Sequence, residues 1–176
     1  MHPRFDDLKA FYTRLEAEVP ATRGLPRGAA PASNVCGTCF ECCKFNLILT
    51  RHEFDCLEDH LIEQEGRSPI SWVTCTTPLQ DARLSKPVDP DAHCPLYVPG
   101  KGCRAYSVRP LACRTFGPLH PRGTLLPQTC AYTESTPFDS VEDLPLWSEY
   151  AEIVRRNRPN PPGYFIARPP DPGSNS

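Results

Sequence analysis

Cys36-Gly37-Thr38-Cys39-Phe40-Glu41-Cys42-Cys43 places four cysteines in eight residues, and its reading decides what the rest of the chain folds around. Thiolates are soft ligands suited to zinc, iron–sulfur clusters and copper(I). Two intervening residues let one turn of backbone present two sulfurs to one metal. On a helix at about 100° per residue, Cys36, Cys39 and Cys43 share roughly 60° of arc, with Cys42 about 60° further round. In an extended segment the adjacent pair points to opposite sides. On either backbone Cys42 and Cys43 do different jobs, three sulfurs serving one centre while Cys42 turns to another or bridges.

A second group follows: Cys94, Cys103, Cys113 and Cys130, separated by eight, nine and sixteen residues. No pair has zinc-ribbon spacing, so two plain C-x-x-C knuckles are disfavoured. Cys94 precedes Pro95, as the last ligand does in bacterial ferredoxins, but the run from Cys36 to Cys43 lacks the ferredoxin's final three-residue gap. The chain numbers 176 residues and carries ten cysteines. A domain of that size buries about 70% of its unfolded surface and needs no covalent staples to fold. The cysteines therefore carry chemistry.

Cys36-x-x-Cys39-x-x-Cys42-Cys43, Cys94-Pro95-Leu96 and the run Gly102-Cys103-Arg104-Ala105-Tyr106-Ser107-Val108-Arg109-Pro110-Leu111-Ala112-Cys113-Arg114-Thr115-Phe116 together resemble the CxxCxxCC cysteine-cluster family. This is the YkgJ-type zinc- or iron-chelating domain of bacteria. The resemblance runs from about residue 36 to 130 and implies metal chelation by Cys36, Cys39, Cys42, Cys43, Cys94, Cys103, Cys113 and Cys130. It does not choose between an iron–sulfur cluster and zinc. A longer branch of the family is associated with flagellin lysine N-methylation.

Cys56 and Cys75 fall outside that pattern and read as bystanders, Cys75 as a buried strand cysteine. His52, Cys56 and His60 form an i, i+4, i+8 stripe with ligand-like spacing, but a solvated polar face is the plainer expectation. His93, next to Cys94, is a supplementary ligand or ligand-orienting candidate. Eight thiolates make a strongly anionic interior, and anions away from water need compensating donors. Arg104, Arg109 and Arg114 lie beside Cys103 and Cys113. They are positioned to donate charged hydrogen bonds to sulfur or to neighbouring carbonyls around the cofactor.

Charge excludes other partners. Lys plus Arg is 19 against 21 Asp plus Glu, with no basic stripe, so nucleic-acid binding by phosphate neutralisation has no footprint. The longest apolar run, Tyr164 to Ala167, is four residues, so no membrane span is expected. The N-terminal residues lack the apolar core of a signal peptide, and the expectation is a cytoplasmic, reducing location where metal ions are the partners of spaced cysteines.

The rest of the text is irregular. Residues 1–19 form an N-terminal helix, with Phe5, Leu8, Tyr12, Leu15 and Val19 on one face. Residues 20–35 are a Pro/Gly linker. The metal-binding domain spans 36–156. Within it, Phe45 to Leu49 is a short strand candidate. Thr50 and Glu53 signal a capped helix that Gly66 ends, with Phe54, Leu57 and Leu61 inward. Residues 69–77 are a strand, Gln80 to Asp91 a loop, Pro99-Gly100 a type II turn, and Leu146 to Arg156 a helix. Residues 157–176, with six prolines, read as a disordered or surface-wrapped tail. The fold class is α+β, loop-rich and metal-stapled, with a few helices and short strands.

Two other functions compete with chelation. One is an iron–sulfur-dependent enzyme, such as a protein lysine methyl transferase. Against it, no Gly-rich cofactor loop and no catalytic triad stand out. The other is a thiol-redox or disulfide protein, which the missing strand-to-helix context around Cys36 disfavours. The irregular spacings and Cys94-Pro95 favour iron–sulfur. The lack of a redox-partner motif favours zinc, where four-thiolate sites are common structural devices.

Overall fold

The computed structural model describes residues 5–19, 48–74, 94–98, 102–116, 119–122, 136–157 and 163–167. Among these residues four α-helices carry the core: α1 (Asp6–Glu18), α2 (Arg51–Glu65), α3 (Leu111–Thr115) and α4 (Trp147–Asn157). Seven short strands are described between and after them. They are β1 (Ile48–Leu49), β2 (Ile70–Thr74), β3 (Tyr97–Val98), β4 (Gly102–Cys103), β5 (Leu119–Pro121), β6 (Thr136–Phe138) and β7 (Gly163–Ala167). The class is α+β, irregular and loop-rich.

Local sequence accounts for the helices. Asp6 and Asp7 occupy the first turn of α1, where carboxylates oppose the positive end of the helix dipole. Phe5, Leu8, Phe11, Tyr12 and Leu15 recur every three or four residues, and all are buried. At α2 the Thr50 side chain accepts from the Glu53 N–H while the Glu53 carboxylate accepts from the Thr50 N–H, a reciprocal capping box. Gly66 stops the helix at φ +70°; a Cβ there would meet nothing within 4 Å, so backbone sign alone calls for glycine.

α4 begins one residue later than the periodicity predicts. Leu146 has φ +60°, a conformation a bulky side chain rarely takes, so it precedes the helix instead of opening it. Its carbonyl accepts from the Tyr150 N–H at 3.0 Å. Tyr150 and Ile153 are buried, and Leu146 and Val154 pack against the same core. α1 and α4 are neighbours: the Phe11 and Tyr150 rings stand 5.3 Å apart, and Arg14 pairs with Glu149.

The sheet corrects the reading of the C-terminal stretch. β7 lies within the residues expected to be a tail, yet it is the central strand of a three-stranded sheet ordered β1-β7-β2. Both pairings are antiparallel, Ile48↔Tyr164 on one side and Ile70↔Ala167 through Thr74↔Gly163 on the other. The six flanking prolines bracket the strand without interrupting it, since none falls within 163–167. The N–H ladder survives because the prolines lie outside it. β3 and β4 make a small antiparallel hairpin and β5 and β6 a parallel pair. The expected linker at 20–35, the loop from Gln80 to Asp91 and the turn at Pro99-Gly100 lie outside the described residues.

A second correction concerns the stripe on α2. His52 and Cys56 are 5% and 3% exposed, so this face is interior, not solvated. The reason is that α2 is covered on two sides. Phe54, Leu57 and Leu61 are buried in the core, and Phe54 meets Trp72 of β2 edge-on at 5.6 Å. On the other side Phe5 lies over the His52 ring at 5.3 Å, and His52 Nε2 is 3.3 Å from Asp7 Oδ1. Only His60, half-buried, retains the expected partial exposure.

Candidate metal centre

Of the eight pattern cysteines, three are described: Cys94, Cys103 and Cys113. All three are half-buried and pack against the edge of the core. Cys36, Cys39, Cys42, Cys43 and Cys130 lie outside the described residues, as do Cys75 and His93. Among the described residues no three His, Cys, Asp or Glu side chains group as a metal site, and no disulfide joins the described cysteines to one another. Cys56 differs from the other three in being fully buried. It is sealed in the core beside a cavity of about 170 Å³ whose walls include Leu8, Tyr12, Val108 and Arg114.

The backbone holds the three cysteines on two small, rigid units. Cys94 opens the β3–β4 hairpin: its carbonyl accepts from the Tyr97 N–H at 2.8 Å. Cys103 is paired across the hairpin with Tyr97, and the Arg104 N–H closes on the Leu96 carbonyl at 2.8 Å. Gly102 sits at φ +81°, which is why glycine precedes this cysteine. Ten residues on, Cys113 lies inside α3. Pro110 confines Arg109 to an extended conformation (ψ 134°), which ends the 3-10 turn Tyr106–Val108 and lets Pro110 begin α3.

The three arginines singled out in the sequence are placed as follows. Arg104 reaches the Pro95 carbonyl at 3.0 Å and Glu65 at 2.8 Å, tying the turn after Cys94 to the end of α2. Arg109 is buried, with its guanidinium 4.0 Å from the centre of the Tyr106 ring. Arg114, 4% exposed, donates to the Arg109 carbonyl at 2.9 Å and the Ser107 carbonyl at 3.1 Å, and pairs with Glu16. Its guanidinium lies 4.1 Å from the Tyr12 ring centre. Burial pushes the Arg114 pKa down from its ordinary value, with the neighbouring Tyr12 and Glu16 acting in the opposite direction. Arg104 and Arg114 thus donate to carbonyls of the cysteine-bearing segments.

One residue acquires a role that the sequence did not signal. Glu53, 3% exposed, uses Oε2 for the capping box, at 3.0 Å from the Thr50 nitrogen and 3.2 Å from its hydroxyl. Its other oxygen, Oε1, accepts from the Tyr12 hydroxyl at 2.8 Å and from the Leu111 N–H at 2.7 Å. Burial pushes the Tyr12 phenol well above its ordinary range, with the adjacent Glu53 charge adding to it, and Tyr150 is raised by the same two causes. The capping-box spacing announces the first oxygen's partner. Nothing local announces the second's, because Leu111 is 58 residues away.

The fold and the cysteine-bearing units define a class: a small, loop-rich α+β domain with spaced cysteines at the edge of a helical core. A family model described as CxxCxxCC, "Putative zinc- or iron-chelating domain", matches residues 35–131. That is more than half of the 176 residues, and the chain belongs to this family. No curated protein and no solved structure matches it. Among the described residues no helix is long and apolar enough to cross a membrane.

Proposed function

We propose that the chain chelates metal through eight thiolates, Cys36, Cys39, Cys42, Cys43, Cys94, Cys103, Cys113 and Cys130, held as iron–sulfur in preference to zinc. The observation that carries chelation is the family match, whose ends fall one residue before Cys36 and one after Cys130. That framing favours Cys130 as the last ligand. The donor chemistry agrees with the group: soft sulfur, on half-buried positions at the core's edge, from which a coordination sphere is completed by the other cysteines of the set. The irregular second-group spacing and Cys94-Pro95 support the iron–sulfur preference.

The chemistry supplied by a bound centre is cross-linking: sulfur ligation ties distant loops to one another and adds its binding free energy to folding. The chain's own residues prepare for that. Arg104 and Arg114 fix the carbonyls of the loops around Cys94 and Cys113, and Pro110 sets the start of α3. Arg109, stacked on Tyr106, stiffens the turn between Cys103 and Cys113.

The partition of ten cysteines into eight and two is tested by substitution. Cys39→Ser is expected to remove at least one metal centre from the purified chain, read as metal per chain. Cys56→Ala with Cys75→Ala is expected to leave metal content unchanged, although Cys56→Ala costs some stability because its site is 3% exposed. Loss of metal in the double variant equal to that in Cys39→Ser contradicts the assignment.

A further inference from the structure

We propose that Glu53 is a positioning residue for the metal site, capping in trans the helix that carries Cys113; this rests on the chelation reading above. α3 is only five residues long, Leu111–Thr115, and its N-cap is Pro110, which has no side-chain acceptor to offer the first turn. The opening N–H, that of Leu111, is buried, and an unpaired buried donor is costly. Oε1 of Glu53 takes it at 2.7 Å. One carboxylate thus caps two helices, α2 through Oε2 and α3 through Oε1.

The consequence is geometric. Cys113 is two residues beyond Leu111, in a helix too short to hold its own orientation, since isolated helices below about 12 residues are marginal. Its anchors include Pro110, whose carbonyl accepts from the Cys113 and Arg114 N–H groups at 3.0 and 3.2 Å, the buried Arg114 side chain beside it, and Glu53, which alone takes the opening N–H. Glu53 itself is immobilised by several donors, among them the Thr50 N–H and hydroxyl, the Tyr12 hydroxyl and the Leu111 N–H, with the Tyr150 hydroxyl beside them. The sulfur of Cys113 is therefore aimed from the core of the protein. Partners that orient metal ligands in this way typically change affinity by about 10- to 100-fold when removed.

The test is anaerobic titration of the reduced full chain with cobalt(II). It is read as thiolate-to-cobalt charge-transfer absorbance per bound metal and as affinity against a competing chelator. Glu53→Gln keeps size but turns one acceptor into a donor facing N–H groups, so the Cys113-dependent absorbance is expected to fall and affinity to drop about 10-fold or more. Tyr12→Phe removes one of the same carboxylate's hydrogen bonds while keeping the ring against Arg114 and the Leu111 N–H on Oε1, and is expected to keep the spectrum. Equal losses in Glu53→Gln and Tyr12→Phe overturn the proposal, since the effect is then general destabilisation.

A pair of variants that leaves Glu53 intact covers the case in which Glu53→Gln does not fold. Leu111→Pro deletes the N–H at a helix position proline tolerates, whereas Leu111→Ala trims the side chain and keeps the N–H. The proline variant is expected to bind cobalt about 10-fold more weakly than the alanine variant, and equal affinity overturns the proposal. Cys113→Ser separates the two readings. If it leaves stoichiometry and spectrum unchanged, Cys113 is not a ligand and the chelation assignment fails at that residue, whatever Glu53 does.

Discussion

Phe11→Ala is expected to destabilise the full chain by about 3–5 kcal/mol, the range for removing a buried aromatic ring. Phe11 has no exposed surface, and its ring lies 5.3 Å from Tyr150 and 5.5 Å from Tyr12. It is the point where α1 meets α4, so the cavity opens between two helices and cannot close by moving one side chain. Alanine is also the better helix former, so the loss reports packing and not helix propensity. Guanidinium unfolding followed by circular dichroism measures it, and a thermal melt is expected to show a fall in Tm of roughly 6–20 °C for a chain of this size. A loss below about 1 kcal/mol, the scale of an ordinary surface change, contradicts the placement of Phe11 in the core.

Arg114→Ala is expected to cost about 2–4 kcal/mol. Removing the guanidinium takes a donor from the Ser107 and Arg109 carbonyls and a cation from beside Glu16. Breaking a fully buried pair costs about 3–5 kcal/mol, but the Glu16 side chain is 24% exposed and water recovers part of it. Arg114→Lys keeps the charge and loses the planar fork that serves two carbonyls and a carboxylate together, so it restores less than half of the loss. Denaturant midpoints of the three proteins measure this. Full recovery by lysine shows that charge alone matters, contrary to the geometry described.

Helix faces and caps were the most legible features of the sequence. Thr50, Glu53 and Gly66 signal α2 within a window of 17 residues, and the structure places all three in those roles. The face of α1 is also readable, although Phe11, adjacent to Tyr12, widens it beyond the simple helical repeat. What the sequence hid is long-range. β7 reads as tail because its proline-rich surroundings say disorder, and only pairing with β1 and β2, more than 85 residues earlier, makes it a strand. His52 and Cys56 read as a polar face because a helical pattern shows one apolar stripe. It cannot show that α1 returns to cover the other side.

The site divides the same way. Cysteine spacing marks the candidate ligands, because metal chemistry restricts residue type. The supports are another matter: Arg114 reaching Glu16 and Glu53 reaching Leu111 span 98 and 58 residues, and no local pattern encodes such contacts.

The central claim is that these thiolates hold metal as iron–sulfur. Its most direct measurement is iron, zinc and acid-labile sulfide per chain, with a visible spectrum, on the full chain purified without oxygen. The account predicts coloured protein carrying iron and sulfide in comparable amounts, both lost in Cys39→Ser. Colourless protein with zinc and no sulfide contradicts the iron–sulfur assignment while keeping chelation, and protein free of all three contradicts the account as a whole.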